Sequence, residues 1–157
     1  MSTSAPDSET VSGQPCPVAR SVDLIGDRWS LLIVRDAFDG MRRFSDFQRS
    51  LGVARNILSD RLKKLVDAGI LQTEAAAKGS AYQAYVLTPR GESLFPVVLA
   101  LRQWGEGNLF APGEAHSLLL DQASGQPVPL LRVLDAQGQE LRPDQTRVRK
   151  LDGVDEA

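Results

Sequence analysis

The stretch RFSDFQRSLGVARNILSDRLKKLVDAGIL, residues 43–71, decides how this chain folds. Phe44, Phe47 and Leu51 stand at i, i+3 and i+7, which predicts a short helix with one apolar stripe. Leu51, Gly52 and Val53 make a turn, with the glycine free to take the left-handed conformation that helix ends prefer. A longer helix is expected over 54–67, closed by Gly69. One side of it is apolar (Ile57, Leu58, Leu62, Leu65, Val66). The other carries Asn56, Ser59, Asp60 and Lys63, flanked by Arg55 and Lys64. A helix, a tight turn and a second helix with an outward polar row form the layout that places that second helix in a DNA major groove.

Upstream, Pro17 suits a first helical position, and Val18, Val22 and Ile25 follow at helical spacing until Gly26 breaks the run. Asp27 can cap a helix over 28–38, where apolar residues cover most of the circumference, so this helix is expected to be buried in a core or at a subunit contact. Downstream, 70–74 and 82–88 read as strands, with Lys78, Gly79 and Ser80 as the hairpin tip. Helix-turn-helix followed by a hairpin is a winged helix. Thr88 and Pro89 then start a long helix through Leu94, Phe95, Val98, Leu101 and Trp104, with a bend expected at Pro96. Beyond Pro112 and Gly113 come short runs separated by Ser124-Gly125, Gln137-Gly138 and Arg142-Pro143, and strands are expected over 116–121, 128–135 and 146–151. The expected fold is mainly α with a β-hairpin wing (α+β), a winged helix-turn-helix core plus a small β-rich C-terminal appendage. Its divisions are a disordered leader over 1–14, the winged domain with dimerisation helices over 15–111, and the appendage with a frayed end over 112–157.

At 157 residues the chain can bury an ample core, and 42% hydrophobic with 24% charged residues is ordinary for a globular protein. No uninterrupted apolar run reaches the roughly 18–20 residues that span a bilayer, and the first residues lack the pattern of a signal peptide. The expectation is a cytoplasmic protein with no membrane contact. One cysteine excludes an internal disulfide and any cysteine-cluster metal site. The net charge of −2 conceals an uneven distribution. Over 40–70 seven bases face three acids, a net +4, whereas from Glu106 onward nine acids face five bases, a net −4. Phosphate binding follows the local patch rather than the total.

Early side chains of a recognition helix read bases. Arg55 is expected at guanine O6/N7 and Asn56 at adenine, with Ser59 one turn on. Lys63 is assigned to phosphate and Lys64 flanks it. Asp60 repels phosphate but can accept from cytosine N4. Arg42, Arg43 and Arg49 surround the shorter helix and would hold backbone phosphates, while Arg61 is expected in a structural ion pair. No nucleophile–base pair, metal constellation or Gly-rich phosphate loop is present in the sequence, which predicts neither enzyme activity nor a cofactor. His116 reads as a surface residue. A winged-helix protein–protein interaction module that no longer binds DNA is the alternative, motivated by a weakly basic wing and an acidic tail.

Dispersed elements in a fixed order carry a family resemblance: Cys16-Pro17-Val18, Gly26-Asp27-Arg28-Trp29-Ser30, Arg43-Phe44-Ser45-Asp46-Phe47, Leu58-Ser59-Asp60-Arg61-Leu62, Gly69-Ile70-Leu71, Tyr85-Val86-Leu87-Thr88 and Gly91. Over 16–104 the chain resembles the HxlR-type winged-helix transcriptional regulators, relatives of the MarR regulators. The resemblance implies a homodimeric regulator of double-stranded DNA, a repressor on a pseudo-palindromic operator, with its interface built from 17–38 and the helix around 94–104. It also implies a redox signal through Cys16, which precedes a helix start where a thiolate is favoured. A small-molecule effector is a further partner, with Trp29, Phe38, Phe95 and Trp104 as pocket or dimer residues. The wing departs from the family: residues 72–77 read QTEAAA, and Lys78 is its one base, expected to touch phosphate only. The tail resembles a zinc ribbon whose knuckles, at Ser124-Gly125 and over 134–138, have lost every cysteine, so no metal is expected.

Overall fold

Four helices and a hairpin follow one another along the first part of the chain in the computed structural model, which describes residues 15–79 and 81–151. They are α1 (Pro17–Ile25), α2 (Arg28–Phe38), α3 (Phe44–Leu51), α4 (Arg55–Asp67), β1 (Leu71–Ala75) and β2 (Gln83–Leu87). The leader expected over 1–14 and the frayed end after 151 lie outside the described residues. Local chemistry sets the boundaries. Asp27 caps α2 by accepting from the Ser30 N–H at 3.0 Å, and Gly52 ends α3 in the left-handed region at φ 60°.

Ile33 and Val34 of α2, Phe47 of α3, and Leu58, Leu62 and Leu65 of α4 interlock with Leu71 of β1 and Ala84 of β2 to form the core. The helix expected to be apolar all round also buries Ser30 and Asp36. One Asp36 oxygen accepts from Arg35 Nε at 2.9 Å. β1 and β2 pair antiparallel in the register Leu71↔Leu87 through Ala75↔Gln83. A third short segment extends this sheet: the Tyr85 N–H donates to the Arg42 carbonyl at 2.7 Å, and Arg43 bridges Ala84.

The long helix expected after Thr88 is two helices, α5 (Pro89–Glu92) and α6 (Phe95–Asn108). Pro96 has no N–H to offer the Glu92 carbonyl, so the ladder stops between them instead of bending. Thr88 caps α5, accepting from the Gly91 N–H at 3.0 Å, and its hydroxyl reaches the carbonyls of Gly69 and Ile70.

Contacts gather in two units, residues 1–95 and 96–157, so nearly all of α6 groups with the C-terminal segment. In that second unit the strands expected over 116–121 and 128–135 are each reduced to a single bridge, Leu120↔Pro127 and Leu134↔Glu140, that expected over 146–151 does not form, and a 3-10 turn stands at Pro143–Gln145. Pro129 and the turns after Asp121 and Asp135 interrupt the first two runs before a ladder can propagate. The two knuckle-like turns are closed by carboxylates. Asp121 Oδ1 accepts from the N–H groups of Ala123 and Ser124 at 2.8 and 3.3 Å. Asp135 Oδ1 accepts from Gln137 and Gln139 at 2.8 and 2.9 Å. Among the described residues no helix is long and apolar enough to cross a membrane.

Asp27 also ties α4 to α2, because Arg61 Nε donates to its Oδ2 at 3.0 Å. Partial burial pushes the Asp27 carboxyl up, but Ser30 and Arg61 together pull harder, so it titrates below the usual value of 3.8. A depressed carboxyl contributes stability that is complete above the ordinary value and lost as pH falls through the depressed one. Acid melts should show this below about pH 4. Asp27→Asn keeps a capping oxygen while deleting the charge, and its thermal midpoint should fall less steeply over that range. An unchanged acid slope would show that the pair does not contribute.

Candidate nucleic-acid interface

The turn at Gly52 and the apolar side of α4 fix which residues face outward. Leu58, Leu62 and Leu65 enter the core, which leaves Arg55, Asn56, Ser59, Asp60 and Lys63 exposed along the opposite side. Among the described residues, the Asn56 and Ser59 side chains make no hydrogen bond and are available to an outside partner. The other members of the row are engaged. Lys63 Nζ bonds Asp67 at 2.9 Å, and this bond, with Asp60 nearby, raises the lysine's pKa. Asp60 accepts from Arg61 Nη1 at 2.6 Å, which masks its charge toward phosphate. Arg61 is thus the structural ion-pair residue expected from its position, and Lys64 lies 3.9 Å from the same Asp27.

Arg55 is stacked rather than extended. Its guanidinium carbon lies 5.0 Å from the centre of the Phe44 ring, a cation–π contact that holds the charge without consuming its donors. Phe44 and Arg55 line a cleft of about 600 Å³ together with Arg43, Gln48, Tyr82 and Gln83. The cleft lies between the starts of α3 and α4 on one side and β2 on the other. Gln48, Tyr82 and Gln83 were not singled out by sequence, and Phe44 reads there only as part of the apolar stripe of α3. Only the fold of the hairpin brings Tyr82 and Gln83 beside Arg55, so spacing along the chain gave no signal for them.

The arginines around α3 divide. Arg43 and Arg49 are exposed and have no ion-pair partner among the described residues. Arg42 instead pairs with Glu74 of β1. Lys78 lies at the exposed tip of the hairpin, away from the cleft lining.

The four aromatic residues expected to form a pocket are only partly assembled. Phe38 and Phe95 pack with ring centres 5.5 Å apart and line a groove of about 500 Å³ with Met41, Tyr85, Leu87 and Glu92. Trp29 does not line it and lies under the Arg28 guanidinium. Trp104 belongs to the second unit. Cys16 is exposed and caps α1, its Sγ accepting from the Ala19 N–H at 3.4 Å.

Comparison with known proteins is consistent with this geometry. The family profile described as HxlR-like helix-turn-helix matches residues 24–111. Rv3095 of Mycobacterium tuberculosis, an uncharacterized HTH-type transcriptional regulator, is 41% identical over 95 residues. That match covers 60% of this chain and 60% of that protein, so it spans less than two thirds of the relative's length. The crystal structure of PA1607, a candidate transcription factor, superposes with a TM-score of 0.84 at 50% identity, covering 88% of this chain and 97% of that one. The redox regulator HypR in its reduced form gives a TM-score of 0.56 at 32% identity, covering 60% and 94% of the two chains.

Proposed function

Because the chain belongs to the HxlR-like helix-turn-helix family, we propose that it is a sequence-specific, DNA-binding transcriptional regulator, acting as a cytoplasmic homodimeric repressor on a pseudo-palindromic operator. The observation that carries this reading is the outward row on α4, where Asn56 and Ser59 stand exposed and unpartnered between cationic neighbours. Asn56 and Ser59 take base edges. Arg55, stacked on Phe44 beside the hairpin, takes a backbone phosphate rather than the guanine edge its position in sequence suggested. Arg43, Arg49, Lys63, Lys64 and Lys78 supply further phosphate contacts, while Arg42 is held by Glu74 and steadies the wing. The dimer is supported by apolar residues left open on two helices, Val18 and Val22 of α1 and Val97, Leu101 and Trp104 of α6. Two recognition helices related by a two-fold axis would enter major grooves about 34–36 Å apart.

Fluorescence anisotropy with the intergenic DNA beside its own gene tests the proposal across a salt series. Operator binding should exceed binding to scrambled duplex by roughly 10³-fold or more at physiological salt. Equal affinity for both at every salt concentration would remove the specific-regulator reading.

Cys16 supports a redox input, since its thiol is exposed at the start of a helix and HypR is a redox regulator. With one thiol per chain, oxidation would join two subunits or couple Cys16 to a small thiol. Diamide should change operator affinity in the wild type and leave Cys16→Ser unaffected. The same response in both proteins would dismiss the idea.

A further inference from the structure

Beyond α6, residues 109–151 follow an irregular path tied by hydrogen bonds, and 96–151 have almost no interior. Among them only Leu99, 5% exposed, is buried. Leu118, Leu120, Leu130, Leu131, Val133 and Leu134 stay 46–74% exposed. They are held where they are. Arg102 of α6 donates to the Ser117 carbonyl at 3.2 Å and to its hydroxyl at 2.9 Å. The Gln103 amide acts as a short strand, donating to the Pro129 carbonyl at 2.9 Å and accepting from the Leu131 N–H at 2.8 Å.

Such a unit cannot be stable uncovered. Ordering a backbone costs conformational entropy at every residue, and burial of apolar surface is the main return. One buried side chain leaves that cost unmet. The cover must therefore be present whenever the unit is folded. Residues 1–14 and 152–157 hold three large apolar side chains, Met1, Val11 and Val154, against the six exposed ones. A partner that arrives and leaves cannot provide it. Another copy of the same chain can.

Three observations favour that occupant. The exposed residues share a unit with the open Val97, Leu101 and Trp104 of α6, and Gln103 of that helix ties Leu131 to it. Together these side chains offer on the order of 1,000 Å², comparable to what one subunit contributes to a stable interface and above what a monomer usually exposes. Charge within 118–134 is sparse: Arg132 is paired with Glu140, and Asp121 accepts the backbone N–H groups of Ala123 and Ser124. Two identical surfaces related by a two-fold axis then meet with little like charge between them.

We propose that residues 118–134 of the appendage form a self-association surface, against which a second copy of this chain packs its own appendage, extending the α6 contact. The inference rests on the homodimer part of the proposed function and adds a second, larger part to its interface.

Sedimentation velocity on the full chain without DNA tests it, so a failure of the regulator reading would leave this result intact. Wild type should be a dimer at low micromolar concentration. Leu130→Asp/Val133→Asp should dissociate roughly 100-fold more readily, and the concentration dependence of the wild-type melting temperature should weaken with it. Lys78→Asp, a charge change at the hairpin tip, should stay dimeric. Should the double variant fail to fold, Val133→Cys in a Cys16→Ser background gives a second readout, as a short bismaleimide should link two copies through the single thiol. An unchanged dissociation constant in the double variant, a wild type that is monomeric at every concentration, or no linked dimer would each overturn the proposal. The first would leave α1 and α6 to hold the dimer alone, and the second would point to a different protein as the cover.

Discussion

Replacing Asn56 with alanine is expected to weaken operator binding by roughly 1–3 kcal/mol, about 5- to 150-fold, while binding to scrambled DNA changes little. The asymmetry follows from where the amide stands. It is exposed near the start of α4 and makes no hydrogen bond among the described residues, so its removal should cost mainly what it makes with a base. Arg55→Ala should behave differently. Its guanidinium lies over Phe44 at the edge of the cleft, and a phosphate contact there would be made on any duplex. Both operator and scrambled affinities should fall by a similar factor, and the salt slope should shrink by about one per subunit. Phe44→Leu, which removes the ring and keeps an apolar filler, should reproduce part of that uniform loss. If Arg55→Ala instead erased operator preference and left scrambled binding untouched, Arg55 would be a base reader and the stacked arrangement would not survive in the complex.

Gly91→Ala should be the most damaging single-methyl change in the winged unit. A Cβ at that position would stand 2.1 Å from the Ile70 carbonyl oxygen and 3.0 Å from a Leu87 methyl. The obstacle is backbone at the base of the hairpin, which Thr88 pins by bonding the Gly69 and Ile70 carbonyls. No rotamer change can relieve it. A loss of about 3 kcal/mol is expected, lowering the melting temperature by roughly 10 °C. Gly105→Ala is the matching control. Nothing lies within 4 Å of its added methyl, and alanine in a helix interior should raise stability by about 0.5–1 kcal/mol. Calorimetry on both variants decides the matter. Equal melting temperatures would mean that α5 does not sit against the hairpin as described.

The winged unit was largely legible because its instructions are local. Apolar spacing in 28–38, 44–51 and 55–67 repeats at the period of a helix, and Asp27, Gly52 and Thr88 mark ends through chemistry that acts within a few residues. The departures arise where a partner is distant in sequence. Arg42 looks free beside Arg43 until the hairpin brings Glu74 against it. Arg55 is expected at guanine from its place on α4, and only the fold shows Phe44 beneath its guanidinium. Tyr82 and Gln83 carry no sequence signal of their own and gain a role only through the fold. The appendage was harder still, since its short apolar runs resemble strands while its prolines and turns prevent pairing.

The bond from the Tyr85 N–H to the Arg42 carbonyl has a mechanical consequence. Residues 42 and 43 lead directly into α3 while also forming the outer rail of the hairpin, so these two parts cannot be tilted separately. The groove beside Phe38 and Phe95 is lined by Met41 and Arg42 as well. Any change in the lining of that groove would therefore reach α3 and the hairpin through the same two residues.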